Sequence, residues 1–431
     1  MITWLGLYLL GLSALLFARC ALDLRRSLSC RTLCSCLLRG GYAIAYPLTL
    51  GLMATFPGQF EPVIAENYPL SSFNGPTLFA AIAITLGWLG IETSIAAAST
   101  KLTLSFQDGD AALRRLTALL GASAIGFFTA YGFEALFLNI RFGQLGHSHL
   151  GVLARELGGT ASLTMLLVIL SADRGGTPKV GRPILIVPTF LIAVFFAIQG
   201  AGRLNMIELL LACVGVRVIT SGRWPPVFVL AICASACLLI AGAGRSVVAV
   251  WLQAGDAVSA SGTPEMSIAE LLLAPFEYCS YAPIALEQIW NGLRSGHLHL
   301  RWGSDLALSV LFYGRLVGWE SDYTIAYYTT DLLLGRFESF IPPGILGLGL
   351  WNFGYFGLVI VPFGLAISWI WFVRLLEHGR RSSVSVSLGV QWALLALIAV
   401  ISGEPRVMAL KLLCFFVTAL SLCVRGVRLQ Q

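Results

Sequence analysis

Charged residues are scarce in this chain. Only 12% of its 431 residues are Asp, Glu, Lys or Arg, whereas soluble domains contain about a quarter. Hydrophobic residues make up 57% of the chain, and the mean hydropathy is +0.82. This composition excludes an ordinary soluble domain and indicates an integral membrane protein. The net charge of +6 is therefore read as a signal of membrane orientation, and nucleic acid is not an expected partner.

Lysine is nearly missing, because only Lys101, Lys179 and Lys411 among the 28 basic residues are lysines. The excess of arginine suits membrane interfaces and the bidentate binding of phosphate. The ten cysteines show no disulfide framework, and the group at 30–36 has no fourth ligand nearby for zinc. No Asp-x-Asp motif occurs in an external loop. We therefore predict reduced cysteines and neither a metal site nor a cofactor.

Long apolar runs are what the sequence does contain. A membrane-spanning helix needs about 20 apolar residues, and eleven runs approach that length. They lie near residues 2–21, 37–56, 75–97, 117–138, 159–172, 183–201, 205–218, 225–242, 344–372, 387–402 and 406–424. The first lacks the charged start and cleavage site of a signal peptide, so we expect it to be retained. The predicted fold is an all-α polytopic membrane protein, with residues 1–431 as one transmembrane domain.

The distribution of arginine and lysine predicts the orientation. Placing the loop at 25–39 in the cytoplasm puts most of the 28 basic residues on the cytoplasmic side. The N-terminus is then external, and the C-terminus is cytoplasmic. The same choice places residues 243–343 outside as one large loop between the eighth and ninth spans. Loops of that length are usually functional or disordered, and the aromatic residues of this one favour function.

Two arginines at helix ends are the first candidate binding residues. Gly200-Ala201-Gly202-Arg203 ends the sixth span, and Gly242-Ala243-Gly244-Arg245 ends the eighth. Arginine on the external side opposes the positive-inside bias and needs a partner. One interpretation is contact with lipid headgroups, or pairing with Glu208 or Asp256. The other is a diphosphate site, since two guanidinium groups can each hold two phosphate oxygens.

A third arginine precedes a break in the chain. Arg336 is followed by Pro342 and Pro343 and by a helix predicted to start near Gly344. A proline at a helix start with glycines in the first turn can expose backbone N–H groups that bind an anion. The simpler interpretation is an entry turn beside an aromatic belt at the membrane interface.

These segments are similar to a known family. The run from Pro342 to Gly357, Pro-Pro-Gly-Ile-Leu-Gly-x-x-x-x-Asn-Phe-Gly-x-x-Gly, resembles the end of the large periplasmic loop in bacterial O-antigen and oligosaccharide repeat-unit polymerases of the Wzy type. Gly202-Arg203 resembles that family's Gly-Ser-Arg signature. Arg336 and Gly347 have its arginine-x10-glycine spacing, which Arg203 misses by one residue. The number of spans and the position of the large loop also agree.

The resemblance implies an architecture similar to the membrane glycosyltransferases of the GT-C class, in a bacterial inner membrane, with a periplasmic active face. It implies transfer of a growing glycan from undecaprenyl diphosphate onto a sugar hydroxyl of a new lipid-linked repeat unit. Arginine can stabilise the diphosphate leaving group without a metal, so Arg203, Arg245 and Arg336 are the predicted diphosphate-binding residues. The implied partners are both lipid-linked glycans, membrane lipid and a chain-length regulator protein.

The acceptor hydroxyl needs a general base, and three carboxylates of the large loop are the candidates. Glu320 and Asp322 follow Trp319 in an aromatic neighbourhood that suits a sugar. Glu277 lies in the amphipathic stretch from Ile268 to Trp290, which we expect along the membrane surface. No arrangement of residues singles out one of the three.

Two other functions stay open. An O-antigen ligase would be expected to use a loop histidine, and neither His297 nor His299 is a convincing equivalent. A flippase for lipid-linked oligosaccharides should have matched halves and broken helices near the membrane midplane. The single large loop argues against a flippase, and so do the few charges expected deep in the spans, with Glu92 and Glu134 near span ends.

Overall fold

The computed structural model describes residues 2–56, 77–98, 102–106, 110–136, 148–171, 182–199, 203–223, 268–304, 306, 325–335, 341–377 and 382–429. These residues are nearly all helical. The α-helices are α1 (Ile2–Arg26), α2 (Cys30–Ala43), α3 (Thr49–Thr55), α4 (Leu78–Ala97), α5 (Asp110–Tyr131), α6 (His149–Ser171), α7 (Arg182–Gln199), α8 (Arg203–Ser221), α9 (Ile268–Arg294), α10 (Ile325–Leu334), α11 (Gly344–Phe353), α12 (Gly357–Glu377), α13 (Ser383–Ser402) and α14 (Pro405–Leu422).

Seven stretches of the described helices are long and apolar enough to cross a membrane. They are Trp4–Arg26, Leu78–Ala97, Asp110–Tyr131, His149–Ser171, Gly344–Glu377, Ser383–Ser402 and Pro405–Leu422. This confirms the prediction of an all-α polytopic membrane protein, and the count of eleven spans stays a prediction. The predicted span at 225–242 lies outside the described residues, whereas those at 183–201 and 205–218 fall on α7 and α8.

The predicted span at 37–56 is interrupted by a turn of π-helix, Ile44–Leu48, between α2 and α3. Pro47 lies within this turn and has no N–H group to donate, which is a common cause of such a break. The Thr49 hydroxyl donates a hydrogen bond to the Ile44 carbonyl at 2.5 Å. The run therefore stays helical, although its backbone hydrogen bonds change register at the proline.

The residues of the chain group into two compact units. Unit 1 comprises Met1–Thr100, Phe276–Arg374 and Trp392–Ala409, and unit 2 comprises Lys101–Pro275, Leu375–Gln391 and Leu410–Gln431. In unit 1, α1 packs against α2, α3 and α4. The α4 helix begins with a Thr77 cap that accepts a hydrogen bond from the Ala80 amide.

Helix α9 corrects the expectation that the stretch from Ile268 to Trp290 lies along the membrane surface. In the described side chains of its second half, Tyr281, Ala282, Ile284, Ala285 and Leu286 are all buried. Buried residues on every side of a helix indicate an interior position. The surface prediction is therefore wrong for this half of the helix.

The segment that carries the family resemblance forms a broken helix in unit 1. Helix α11 ends at Gly354, which has a φ of 62°, and a 3-10 turn, Gly354–Phe356, leads into α12. A Cβ added to Gly349 would lie 2.8 Å from the Gly357 carbonyl carbon. The two glycines therefore allow backbone contact between α11 and α12, as small residues do in membrane helix pairs.

Unit 2 is built on α5, α6, α7 and α8, with α6 packed against each of the other three. Phe127, Tyr131 and Phe196 form its aromatic core, and the Phe127 ring meets the other two edge-on at 5.3 and 5.9 Å. A Cβ at Gly158 would lie 2.5 Å from the Phe196 ring, so glycine on α6 makes room for this aromatic side chain. The unit also contains an antiparallel pair of strands, β1 (Leu102–Phe106) and β2 (Cys423–Leu429), in which Leu102 pairs with Leu429.

Candidate functional site

Most of the residues predicted to act on substrate lie outside the described part of the chain. These are Arg245, Glu320, Asp322 and Arg336. Arg203 is the first residue of α8, and Glu277 falls within α9. The convergence of the three arginines and the choice among the three carboxylates therefore stay predictions.

The backbone N–H groups at the start of α11, predicted to bind an anion, are covered by other parts of the protein. Gly344 to Gly347 are buried, and the Leu346 amide donates a hydrogen bond to the Tyr46 hydroxyl at 3.0 Å. Gly403 packs against the same turn, since a Cβ added there would lie 2.5 Å from the Ile345 nitrogen. A diphosphate cannot reach this turn as it stands, which argues against an anion site there, and the position of the turn at a membrane interface stays a prediction.

The asparagine of the same motif, Asn352, holds a neighbouring loop in place. The Asn352 side-chain oxygen accepts a hydrogen bond from the Gly303 amide at 3.0 Å, and its carbonyl accepts one from the Trp302 amide at 3.0 Å. These bonds satisfy carbonyl and side-chain acceptors at the end of α11. They also hold the Trp302 backbone in the left-handed region, with a φ of 50°. The Trp302 side chain is 76% exposed, so an aromatic ring is accessible next to the end of α11.

A polar cavity within unit 2 is the strongest candidate site among the described residues. Its volume is about 50 Å³, which is room for a few water molecules. Four charged side chains line it, namely Arg155 and Glu156 from α6, Glu208 from α8 and Lys411 from α14. Asn205 and Gln391 add amide groups, and Phe196 adds an aromatic surface.

Lys411 joins two helices across this cavity. Its ammonium donates hydrogen bonds to Asn205 Oδ1 at 3.2 Å and to Glu208 Oε2 at 3.3 Å. A third oxygen, Glu156 Oε2, lies 3.9 Å away. Its side chain is only 13% exposed, and a lysine inside an apolar helix is costly unless it is paired. The two carboxylates and the amide supply that pairing.

Arg155 and Glu156 form the second part of the cluster. Arg155 Nη2 lies 2.6 Å from Glu156 Oε1, and Nη1 donates to the Gln199 carbonyl at 3.4 Å. Arg155 Nε is buried and has no hydrogen-bond partner among the described residues. A buried donor without a partner is costly, and a water molecule in the adjoining cavity could accept from it.

The amide of Gln391 completes the polar wall. Its oxygen accepts a hydrogen bond from the Thr164 hydroxyl at 2.8 Å, and its nitrogen donates to the Thr160 carbonyl at 3.3 Å. Both threonines belong to α6, which therefore presents hydroxyl and carbonyl oxygens as well as charges. Such a mixed set of donors, acceptors and one aromatic ring can bind water or a sugar hydroxyl.

Sequence reasoning passed over this cluster, although a signal was available. Glu208 lies inside the predicted span at 205–218, and Lys411 lies inside the one at 406–424. Ionisable residues within membrane helices are a functional hypothesis by default. The expectation of few charges deep in the spans stays a prediction, because Glu208 and Lys411 both lie in the first halves of their predicted spans. Glu208 was considered only as a partner for Arg203, whereas its described partner is Lys411.

Unit 1 contains a second buried group of charges. Arg39 is 3% exposed and holds Glu92 with two contacts, of 2.6 Å from Nε and 3.0 Å from Nη2. Its Nη1 contacts Asp23 Oδ2 at 2.6 Å. This geometry is a closed ion-pair network in which the guanidinium is used on both sides, so it offers little to a ligand.

Comparison with protein-family models, with curated proteins and with solved structures gives no match to this chain.

Proposed function

We propose that the protein is a polymerase of undecaprenyl-diphosphate-linked oligosaccharide repeat units, such as those of an O-antigen or a related surface polysaccharide. The reaction breaks the bond between the anomeric carbon of the growing glycan and its diphosphate. It forms a bond from that carbon to a hydroxyl oxygen of the new repeat unit. Undecaprenyl diphosphate leaves, and the hydroxyl proton passes to a base.

The polar cavity of unit 2 is the observation that carries this proposal. The reaction needs ionisable and hydrogen-bonding groups close to a membrane surface, where lipid-linked substrates have their headgroups. The cavity is lined by residues 155–163 of α6, 193–197 of α7, 205–209 of α8, Gln391 of α13 and Lys411 of α14. In the orientation predicted from the arginines, the starts of α6, α8 and α14 and the end of α7 are external, so most of these residues lie in the external halves of their helices. The large loop at 243–343 belongs to the same predicted face.

Arg203 links the cavity to the predicted diphosphate site. It begins α8, the helix that carries Asn205 and Glu208 into the cavity. A helix N-terminus favours an anion, and a guanidinium group can bind two phosphate oxygens. Arg245 and Arg336 are proposed to complete the site from the eighth span and from the end of the large loop.

The first experiment compares the surface glycans of cells with and without the protein. The proposal expects that deletion removes the ladder of polymer lengths and leaves a single capped repeat unit. Loss of the single repeat as well would point to a flippase or a ligase. Restoration of the ladder by a plasmid copy is the control for effects on neighbouring genes.

A matched pair of variants tests the arginine site. Arg203→Lys keeps the charge but loses the two-pronged contact, so chain extension should fall by roughly ten- to a hundredfold. Arg223→Lys, at the exposed position just beyond α8, should leave the rate unchanged. Chain extension by the purified protein should also survive EDTA, because arginine takes the role of a metal. Equal rates in the two variants, or loss of activity in EDTA restored by magnesium, would contradict the proposed site.

A flippase for lipid-linked oligosaccharides is the second candidate, and the buried charges favour it. Networks such as Lys411 with Glu208 and Arg39 with Glu92 are common along transport pathways. Reconstituted vesicles separate the two functions, because a flippase moves a fluorescent lipid-linked repeat unit between leaflets without lengthening it. Lengthening without such movement supports the polymerase.

A further inference from the structure

We propose that Glu208 is the general base of the polymerisation reaction and that the cavity of unit 2 receives the reacting hydroxyl group of the acceptor sugar. The inference rests on the proposed function and replaces the three loop carboxylates as the predicted base. It is drawn from the geometry of the cavity and not from any loop residue.

The size of the cavity selects what can enter. A volume of about 50 Å³ takes a few water molecules or one hydroxyl-bearing edge of a sugar, and a whole sugar ring stays outside. Its lining of carboxylate, amide, threonine and aromatic groups suits a hydroxyl, which both donates and accepts. The buried Arg155 Nε, which has no partner in the described residues, supplies one further donor for a bound oxygen.

The contacts of the two carboxylates distinguish their roles. Glu156 lies 2.6 Å from the Arg155 guanidinium and 3.9 Å from Lys411, so two cations stabilise its charged form. Glu208 Oε2 lies 3.3 Å from the single ammonium group of Lys411. A base must have a free lone pair within reach of the hydroxyl. Glu208 Oε1 is the oxygen proposed to accept the proton, because Oε2 is the one that contacts Lys411.

Lys411 fixes the base in position. Its bonds to Asn205 Oδ1 and Glu208 Oε2 hold the carboxylate at the cavity wall. In the proposed step the hydroxyl oxygen forms its bond to the anomeric carbon while its proton moves to Glu208 Oε1. The electron pair of the broken bond leaves with the diphosphate. Glu208 becomes neutral, Lys411 remains paired through Asn205 and Glu156, and the proton later passes to water.

The test uses the purified full-length protein in nanodiscs with a lipid-linked repeat unit as both donor and acceptor. Glu208→Gln is close in shape and keeps an oxygen for Lys411, so the fold should be retained. We expect its chain-extension rate to fall at least a hundredfold, because a positioned base contributes about 10²–10⁴. Donor binding should stay within twofold of the wild type. Glu134→Gln, at an exposed carboxylate of unit 2, is the matched control and should retain the wild-type rate.

The chain-extension rate and donor binding together separate a base from a residue that only holds the donor, because loss of the base lowers the rate and leaves donor binding in place. A Glu208→Gln rate within threefold of the wild type would overturn the role of Glu208 and leave the polymerase proposal intact. Loss of donor binding in the variant would also overturn it, because the residue would then hold the donor. Failure of the wild type itself to lengthen the glycan would refute the proposed function and this inference together.

Discussion

Removal of Arg39 should be among the most destabilising single changes in unit 1. The guanidinium is 3% exposed and uses Nε and Nη2 for Glu92 and Nη1 for Asp23. Replacement by alanine leaves Glu92, which is 12% exposed, without its closest cation. Breaking a buried ion pair from one side typically costs about 3–5 kcal/mol.

The structure places the expected value near the lower end of that range. Arg19 lies 3.5 Å from Glu92 Oε2 and is 53% exposed, so it can compensate in part, as can solvent at Asp23, which is 30% exposed. We expect Arg39→Ala to lower the free energy of unfolding by about 3 kcal/mol. Arg39→Lys keeps a charge but loses the two-pronged contact, and should cost about 1.5–3 kcal/mol.

The assay is the free energy of unfolding in mixed micelles, measured by titration with a denaturing detergent. Arg26→Ala is the matched control, because Arg26 is exposed on the neighbouring α1 and should change stability by less than about 0.5 kcal/mol. Adding Glu92→Gln to Arg39→Ala should recover part of the loss, since it removes the unpaired charge. If Arg39→Ala and Arg26→Ala unfold alike, the network does not stabilise the fold and the reasoning fails.

Three further predictions concern Gly403, Glu287 and Trp302. Gly403→Ala should lower the free energy of unfolding by more than about 2 kcal/mol, because the φ of Gly403 is +56° and the new Cβ would lie 2.5 Å from the Ile345 nitrogen. Gly121→Ala is the control: its new Cβ meets nothing within 4 Å, so the change should be neutral or stabilising. Burial raises the pKa of Glu287, which lies outside the seven apolar spans. Between the ordinary carboxyl pKa and the raised pKa of Glu287, the folded state binds more protons than the unfolded state, so the melting temperature should fall as pH rises through this range. Glu287→Gln should remove this fall, and Glu134→Gln should keep it. Trp302→Ala should weaken binding of a soluble repeat-unit glycan severalfold while Trp302→Phe retains it, if the exposed ring stacks on sugar; equal binding in both would assign the ring to the membrane interface.

The local features of the fold could be predicted from the sequence, because each depends on neighbouring residues. Apolar runs such as 75–97 and 387–402 become α4 and α13 with ends shifted by a few residues. The break before α11 follows from two consecutive prolines, and the proline at 47 accounts for the interrupted second span. The capping residue Thr77 is also a local signal. Its distant partner could not be predicted locally: Glu287 accepts hydrogen bonds from the Thr77 amide at 3.0 Å and the Thr77 hydroxyl at 3.1 Å.

The candidate site could not be predicted because its members come together only in three dimensions. Lys411 meets Glu208 across 203 residues, and Gln391 meets Thr164 across 227. Hydropathy counts these residues as isolated interruptions of apolar spans and carries no information on which interruptions share an interior. The same limit explains the error for α9, whose periodicity allowed a surface helix although its second half is enclosed by unit 1.

The charge balance of the cavity decides which part of the proposed reaction it can serve. Arg155 and Lys411 are matched by Glu156 and Glu208, so the cavity has no net charge with which to attract a diphosphate. The leaving group and the accepting hydroxyl therefore need different surroundings. In the proposed mechanism, Arg203 at the start of α8 and Glu208 within it supply the diphosphate-binding group and the base from one helix.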